Sequence, residues 1–275
     1  VKEGSALKDN IEKINLWGLD KSSIGDGACL DKKAIITVYH PDKPNGAAVV
    51  ICPGGGYETL VNKPEGHGIA KWLNKSGIVG VVLDYRLPNG NYSIPLDDVQ
   101  RAIRFVRYNA KSWLCETNHV GVIGFSAGGH LASSAATHFD YGNLESDDPI
   151  NKISSRPDFA ILIYPVITMG DDAHVSTKEQ LLGDNPDSKL VELFSNDLQV
   201  TDDTPPTFLA HAKDDSVVVH DNSRSFYEQL QKHNVPSEYL ELPSGNHGLN
   251  GYRGPMWDAW QKQSIEWLQI INMIP

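Results

Sequence analysis

The chain is expected to fold as an α/β protein on a mostly parallel sheet, and three features of the sequence carry that expectation. Short, continuous apolar runs alternate with segments whose apolar residues repeat at helical spacing, the pattern of strands covered on both faces and their crossover helices. A Gly-x-Ser-x-Gly pattern, Gly124-Phe125-Ser126-Ala127-Gly128, joins one such run to an Ala/Leu-rich segment. An aspartate pair and a histidine follow two later runs, giving the order Ser, Asp, His. Parallel sheets of this kind gather their chemistry at the carboxyl ends of the strands, which is where all of these residues fall.

Val1 to Asp31 is mixed and polar apart from Ile14-Asn15-Leu16-Trp17, and is expected to be an arm lying on the body. Lys33 to His40 is β-branched and partly alternating, so it predicts an early antiparallel strand ending at Pro41. Ala47 to Cys52 predicts a buried parallel strand, Gly66 to Lys75 a crossover helix with Ile69, Ala70, Trp72 and Leu73 inward, and Ile78 to Asp84 the next strand. After Pro95, Leu96, Val99, Ile103, Val106 and Ala110 mark a helix. Asp97 and Asp98 are expected in its first turn, and Arg101, Arg104 and Arg107 on a solvated, ion-paired outer face. His119 to Ile123 is the strand before the serine and Leu131 to Thr137 lies in the helix after it. Asp140 to Pro157 is expected to cross the top of the sheet, and Phe159 to Tyr164 to return as a strand. Residues 166–206 predict a small cap insertion. Strands at Thr207 to Ala212 and Ser237 to Leu242 flank a helix from Asp221 to His233, and a last helix from Pro255 to Ile271 buries a tryptophan face.

The strand–Ser–helix junction reads as a nucleophile elbow: the sharp turn strains Ser126 and leaves no room for side chains at Gly124 and Gly128. It places the hydroxyl at a helix N-terminus, whose amides face a developing negative charge. A serine hydroxyl needs a base, and the base needs an acceptor to fix its tautomer. His247, between Asn246 and Gly248 in a loop after a strand, is the candidate base; Asp215, in preference to its neighbour Asp214, is the candidate acid. Gly54-Gly55-Gly56 ends a buried strand, which suits either a tight surface loop or close approach of backbone amides to a ligand oxygen. With an elbow in the same chain, the second reading makes the amides of Gly55, Gly56 and Ala127 an oxyanion hole. Tyr57, His130 and His211 are candidates for lining the substrate pocket, with plain structural roles the equal alternative for the two histidines.

The 275 residues are 40% hydrophobic and 21% charged, enough to bury one sizeable core, so a single domain over 1–275 is expected. A formal charge of −11 repels a phosphate backbone or an anionic bilayer, so neither nucleic acid nor membrane is an expected partner, and a neutral or weakly charged substrate fits better. Cys29, Cys52 and Cys115 are unpatterned and the ten histidines form no H-x-H or H-E-x-x-H pair, so no metal centre is expected, and a serine–histidine–aspartate mechanism implies no organic cofactor. The chain opens on Val1, which leaves room for a leader removed before this numbering. With such a leader the protein would be secreted or periplasmic, and without one cytoplasmic; the sequence leaves the compartment open. No motif speaks to oligomeric state.

Pro53-Gly54-Gly55-Gly56-Tyr57, Tyr85-Arg86-Leu87, Gly124 to His130, Pro205-Pro206-Thr207-Phe208 with Asp214-Asp215, and Asn246-His247-Gly248 together resemble the α/β-hydrolase superfamily. Within it they are similar to the bacterial esterase/lipase group that includes acetyl esterases and acetylxylan esterases. The resemblance runs from Lys33 onward. It implies a twisted, mostly parallel sheet of about eight strands with a small cap, and Ser126 as nucleophile, Asp215 as acid and His247 as base. It also implies the amides of Gly55, Gly56 and Ala127 as oxyanion hole, and hydrolysis of short-chain esters such as acetyl groups on xylan fragments. Pro53 stands where hormone-sensitive-lipase-like relatives carry a histidine, which places the chain nearer the P-G-G-G-Y esterases. Feruloyl or longer-chain esters, a prolyl-peptidase-like reaction, and a noncatalytic carbohydrate-binding role are the alternatives.

Overall fold

The computed structural model describes residues 10–18 and 33–275. Its frame is one eight-stranded sheet in the order β1-β2-β4-β3-β5-β6-β7-β8. The strands are β1 (Ile11–Asn15), β2 (Ile35–Tyr39), β3 (Gly46–Cys52), β4 (Val79–Asp84), β5 (Cys115–Phe125), β6 (Ala160–Ile163), β7 (Thr207–Ala212) and β8 (Ser237–Leu242). β1 and β2 pair antiparallel at one edge, β2 meets β4 antiparallel, and the remaining pairs are parallel. The helices are α1 (Gly68–Lys75), α2 (Ser93–Asn109), α3 (Ala127–Thr137), α4 (Val175–Leu182), α5 (Ser188–Leu193), α6 (Asp221–Lys232) and α7 (Pro255–Ile270).

Alternation along each strand feeds two cores. In β3, Ala48, Val50 and Cys52 face a layer shared with Val99 and Ile103 of α2, Leu131 of α3 and Phe226 of α6. Val49 and Ile51 face the opposite layer, with Ile69 and Leu73 of α1 and Trp260 of α7. Both faces are covered, which is why the run is apolar without a break, and each fully buried Val, Ile or Leu contributes about 1.5–3 kcal/mol. The tryptophan face of α7 is packed in this second layer: Trp260 is fully buried and its ring meets those of Phe125, Trp72 and Trp257.

The structure departs from the sequence expectation in three places. Part of the expected N-terminal arm is a strand: Ile11–Asn15 extends the sheet, with Ile14 opposite Ile36; residues 1–9 and 19–31 of that arm, Cys29 included, lie outside the described residues. α2 begins at Ser93, so Pro95 falls inside the first turn, where a missing N–H breaks no intrahelical bond. Asp98 therefore sits past the helix start and is fully buried, accepting from Arg86 and from Trp17 Nε1 at 2.7 Å, and does not serve the helix dipole. The arginine row is ion-paired but covered. Arg101, Arg104 and Arg107 pair with Asp148, Asp140 and Asp158, so the 140–157 excursion is clamped along α2 and does not cross the carboxyl edge of the sheet. A row of arginines in helical spacing gives no hint that the carboxylates it needs lie 36 to 51 residues later in the chain.

Candidate active site

β5 ends at Phe125 and α3 begins at Ala127, so Ser126 alone makes the turn, with φ 52° and ψ −121°. A β-carbon at Gly128 would lie 2.1 Å from Cys52 O and 2.4 Å from Pro53 O. The first turn of α3 is thus pressed onto the end of β3, and only glycine fits. This close approach brings the elbow beside the glycine loop. Gly55 has φ 127°, and a β-carbon there would meet Thr59 O at 2.3 Å, so the loop folds tightly on itself through Glu58 and Thr59 N–H bonds to Gly55 O. Among the described residues the N–H groups of Gly55, Gly56 and Ala127 have no partner in the protein.

Three side chains from three strand ends form a continuous hydrogen-bonded line. His247 Nε2 lies 2.8 Å from Ser126 Oγ, and His247 Nδ1 lies 2.7 Å from Asp215 Oδ2. Asp214 is turned away and accepts from Asn246 N–H at 2.8 Å. Asp215 is completely buried at its side chain, yet its four acceptor positions are filled: Oδ1 takes the N–H groups of Val217 and Val218, and Oδ2 takes His247 and His211. Burial opposes its charge, but the His211 and His247 donors and the Val218 N–H outweigh it and hold the carboxyl well below the usual carboxylate range. With Asp215 ionised, His247 carries its proton on Nδ1 and presents Nε2 as an acceptor to the serine hydroxyl.

Tyr57, His130 and His211 do not line an open pocket, because all three are buried. They are braces. The Tyr57 hydroxyl donates to His130 Nδ1 at 3.0 Å and His130 Nε2–H donates to Phe194 O at 2.8 Å, linking the glycine loop, α3 and the end of α5. His211 accepts from Ser223 Oγ at 2.8 Å through Nδ1 and donates from Nε2 to Val218 O and Asp215, fixing the acid from behind. A lone histidine among apolar residues gives no sequence cue that separates a brace from a pocket wall.

Burial brings His130 down to about 4, against an ordinary 6.5, so the folded protein keeps it neutral. The unfolded chain takes up the proton first. Stability is therefore full above pH 6.5 and is lost as pH falls toward 4, by on the order of 2–3 kcal/mol for a shift of this size. His211 is displaced in the same direction by burial. In His130→Gln, the amide mimics both hydrogen bonds without titrating. Urea denaturation between pH 7 and pH 4.5 is expected to show a shallower acid loss for this variant than for the wild type; equal slopes would contradict this account.

Several residues that shape the site were given no site role by the sequence. The Tyr85 hydroxyl donates to Pro53 O at 2.7 Å and Glu65 Oε2 accepts the Gly54 N–H at 2.7 Å, so the glycine loop is held from both sides. Ser176 Oγ donates to the Glu58 carboxylate, which ties α4 to the same loop. Beyond His247, Gly248, Leu249, Asn250, Gly251 and Tyr252 all have positive φ, and Tyr252 N–H bonds Gly248 O at 2.8 Å, forming a left-handed turn. Such backbone costs about 1–2 kcal/mol for each residue with a β-carbon, and burying Leu249 completely offsets part of it. The spacing Gly248-Leu249-Asn250-Gly251, rich in residues that tolerate this region, was the available cue.

An eight-stranded, mostly parallel sheet with a strained serine between β5 and α3 and a histidine after β8 defines the α/β-hydrolase fold. The chain belongs to the BD-FAE family, whose model matches residues 36–230. It is similar to an acetylxylan esterase of Xylanibacter ruminicola, 40% identical over 88% of this chain and 48% of that protein. It is also similar to endo-1,4-beta-xylanase B of Butyrivibrio fibrisolvens, 35% identical over 82% of this chain and 36% of that protein. The chain thus spans half or less of these two relatives. Among solved structures, an acetyl ester-xyloside bifunctional hydrolase from Caldicellulosiruptor lactoaceticus superposes with a TM-score of 0.92 at 39% identity, covering 98% of this chain and 100% of that one.

Proposed function

We propose that the chain is a serine carboxylic-ester hydrolase that removes short acyl groups, acetyl above all, from xylan-derived or similar polysaccharide fragments. The observation that carries the reading is the line Asp215–His247–Ser126, with separations of 2.7 and 2.8 Å. Ser126 Oγ attacks the acyl carbon while its proton passes to His247 Nε2. Asp215 accepts the Nδ1–H and stabilises the imidazolium, and the Gly55, Gly56 and Ala127 amides receive the oxyanion. Collapse of the tetrahedral intermediate breaks the ester C–O bond, and the Nε2 proton leaves with the alcohol. A water molecule, deprotonated by His247, then repeats the sequence on the acyl-enzyme and releases the acid. In this reading residues 1–275 act as one domain, with 166–206 as a cap whose α4 borders the glycine loop.

The likeness to an acetylxylan esterase and to an acetyl ester-xyloside hydrolase supports the acetyl and xylan assignment. Initial rates on p-nitrophenyl acetate, butyrate and octanoate, with acetate release from acetylated xylan followed by NMR, test it. Acetate turnover is expected to exceed octanoate turnover by about tenfold or more. Octanoate or methyl ferulate cleaved faster than acetate would move the assignment to a longer-chain or feruloyl esterase.

A further inference from the structure

Glu65 lies in the π-helical turn Lys63–His67 that leads into α1, is 3% exposed, and takes no part in the steps above. Its two oxygens collect donors from separate segments of the site. Oε2 accepts the Gly54 N–H at 2.7 Å, and Oε1 accepts the Tyr164 hydroxyl at 3.0 Å. The Tyr252 hydroxyl approaches the same carboxylate. Gly54 immediately precedes the Gly55 and Gly56 amides. The Tyr164 ring stands edge-on to the His247 imidazole with 4.8 Å between centroids, on a backbone held at φ 37°. Tyr252 closes the left-handed turn that begins directly after His247.

A carboxylate buried this deeply is costly unless its acceptors are filled. The fold places one where the amide loop and the base loop meet, and supplies donors from both. A peg for one loop alone would need only a single acceptor.

We propose that Glu65 is a positioning residue for ester hydrolysis: by holding Gly54 on one side and Tyr164 and Tyr252 on the other, it sets the Gly55 and Gly56 amides in register with His247. The proposal rests on the hydrolase reading above. In Glu65→Leu all three donors lose their acceptor, whereas Glu65→Gln keeps one oxygen for the Gly54 N–H and the tyrosine hydroxyls can rotate toward its amide. Tyr252→Phe removes one donor from a half-buried position and leaves the ring.

The experiment measures kcat and KM on p-nitrophenyl acetate, inhibition by a short alkyl trifluoromethyl ketone, and thermal unfolding for all three variants beside wild type and Ser126→Ala. The ketone's hemiketal oxyanion occupies the amide cradle, so its affinity reads cradle alignment apart from substrate binding. Glu65→Leu is expected to lower kcat by about 10²-fold with KM within about threefold, and to weaken ketone affinity in parallel, with Glu65→Gln recovering about tenfold of the loss. Should Glu65→Leu not fold, Glu65→Gln and Tyr252→Phe carry the test, each with an expected loss of about three- to tenfold in kcat. Full kcat and ketone affinity in folded Glu65 and Tyr252 variants of an active enzyme overturn this proposal alone. A wild-type chain that cleaves no ester overturns the hydrolase reading, and this proposal with it.

Discussion

Replacing Ser126 with alanine is expected to lower kcat on p-nitrophenyl acetate by at least about 10⁴-fold while the protein stays folded. The oxygen removed is the one 2.8 Å from His247 Nε2, and no other hydroxyl in the described residues bonds that nitrogen. Alanine keeps the β-carbon that the elbow already accommodates at φ 52°, so the turn loses no room and gains no clash. Its side-chain oxygen makes no other hydrogen bond, and the backbone bonds of Ser126 to Ile163, His130 and Val166 are untouched. Thermal stability should therefore move little, and KM should stay near the wild-type value because the cradle and the binding surfaces remain. The loss also has a signature in combination. Serine and histidine act on one proton, so Ser126→Ala with His247→Ala is expected to be no slower than Ser126→Ala alone. Strictly additive losses in the double variant, or substantial turnover by Ser126→Ala, would place the nucleophile elsewhere.

The strands and the candidate site residues were legible because each is written locally. A buried parallel strand shows as a continuous apolar run, as in β3, and an elbow shows as two glycines around a serine because the clash they avoid is with the neighbouring backbone. Asp215 and Asp214 are adjacent, and local pattern ranks them only weakly. The three-dimensional path of the loop decides that one meets His247 and the other Asn246 N–H. What sequence reasoning missed is joined over long separations. Glu65 meets Tyr164 across 99 residues, Arg101 meets Asp148 across 47, and Tyr57 meets His130 across 73. None of these pairings shows in the sequence, since a distant partner and not its own neighbours gives each residue its role. The left-handed turn after His247 lies between these cases: its glycines and Asn250 permit positive φ, but Leu249 and Tyr252 adopt it only because tertiary contacts hold them there.

The identity of the acid leads to the second large effect. In Asp215→Asn the carboxylate that accepts four N–H donors becomes an amide with one oxygen. If that oxygen keeps the Val217 and Val218 N–H groups, the amide nitrogen faces His247 Nδ1–H and His211 Nε2–H, donor against donor. Turning the amide over moves the same conflict onto the two backbone N–H groups. Relief at His247 requires the other tautomer, with the proton on Nε2, and an Nε2–H cannot accept the serine proton. A wrong tautomer of this kind costs about 10⁴-fold in kcat. The unsatisfied buried donors add about 1–3 kcal/mol of lost stability, so Tm should fall together with turnover, unlike in Ser126→Ala. Asp214→Asn is the control: its oxygen can still accept the Asn246 N–H, so kcat is expected within about threefold of wild type. If Asp214→Asn proved the damaging change and Asp215→Asn the mild one, the acid would have been assigned to the wrong carboxylate, and the 2.7 Å contact to His247 would not be the one that orients the base.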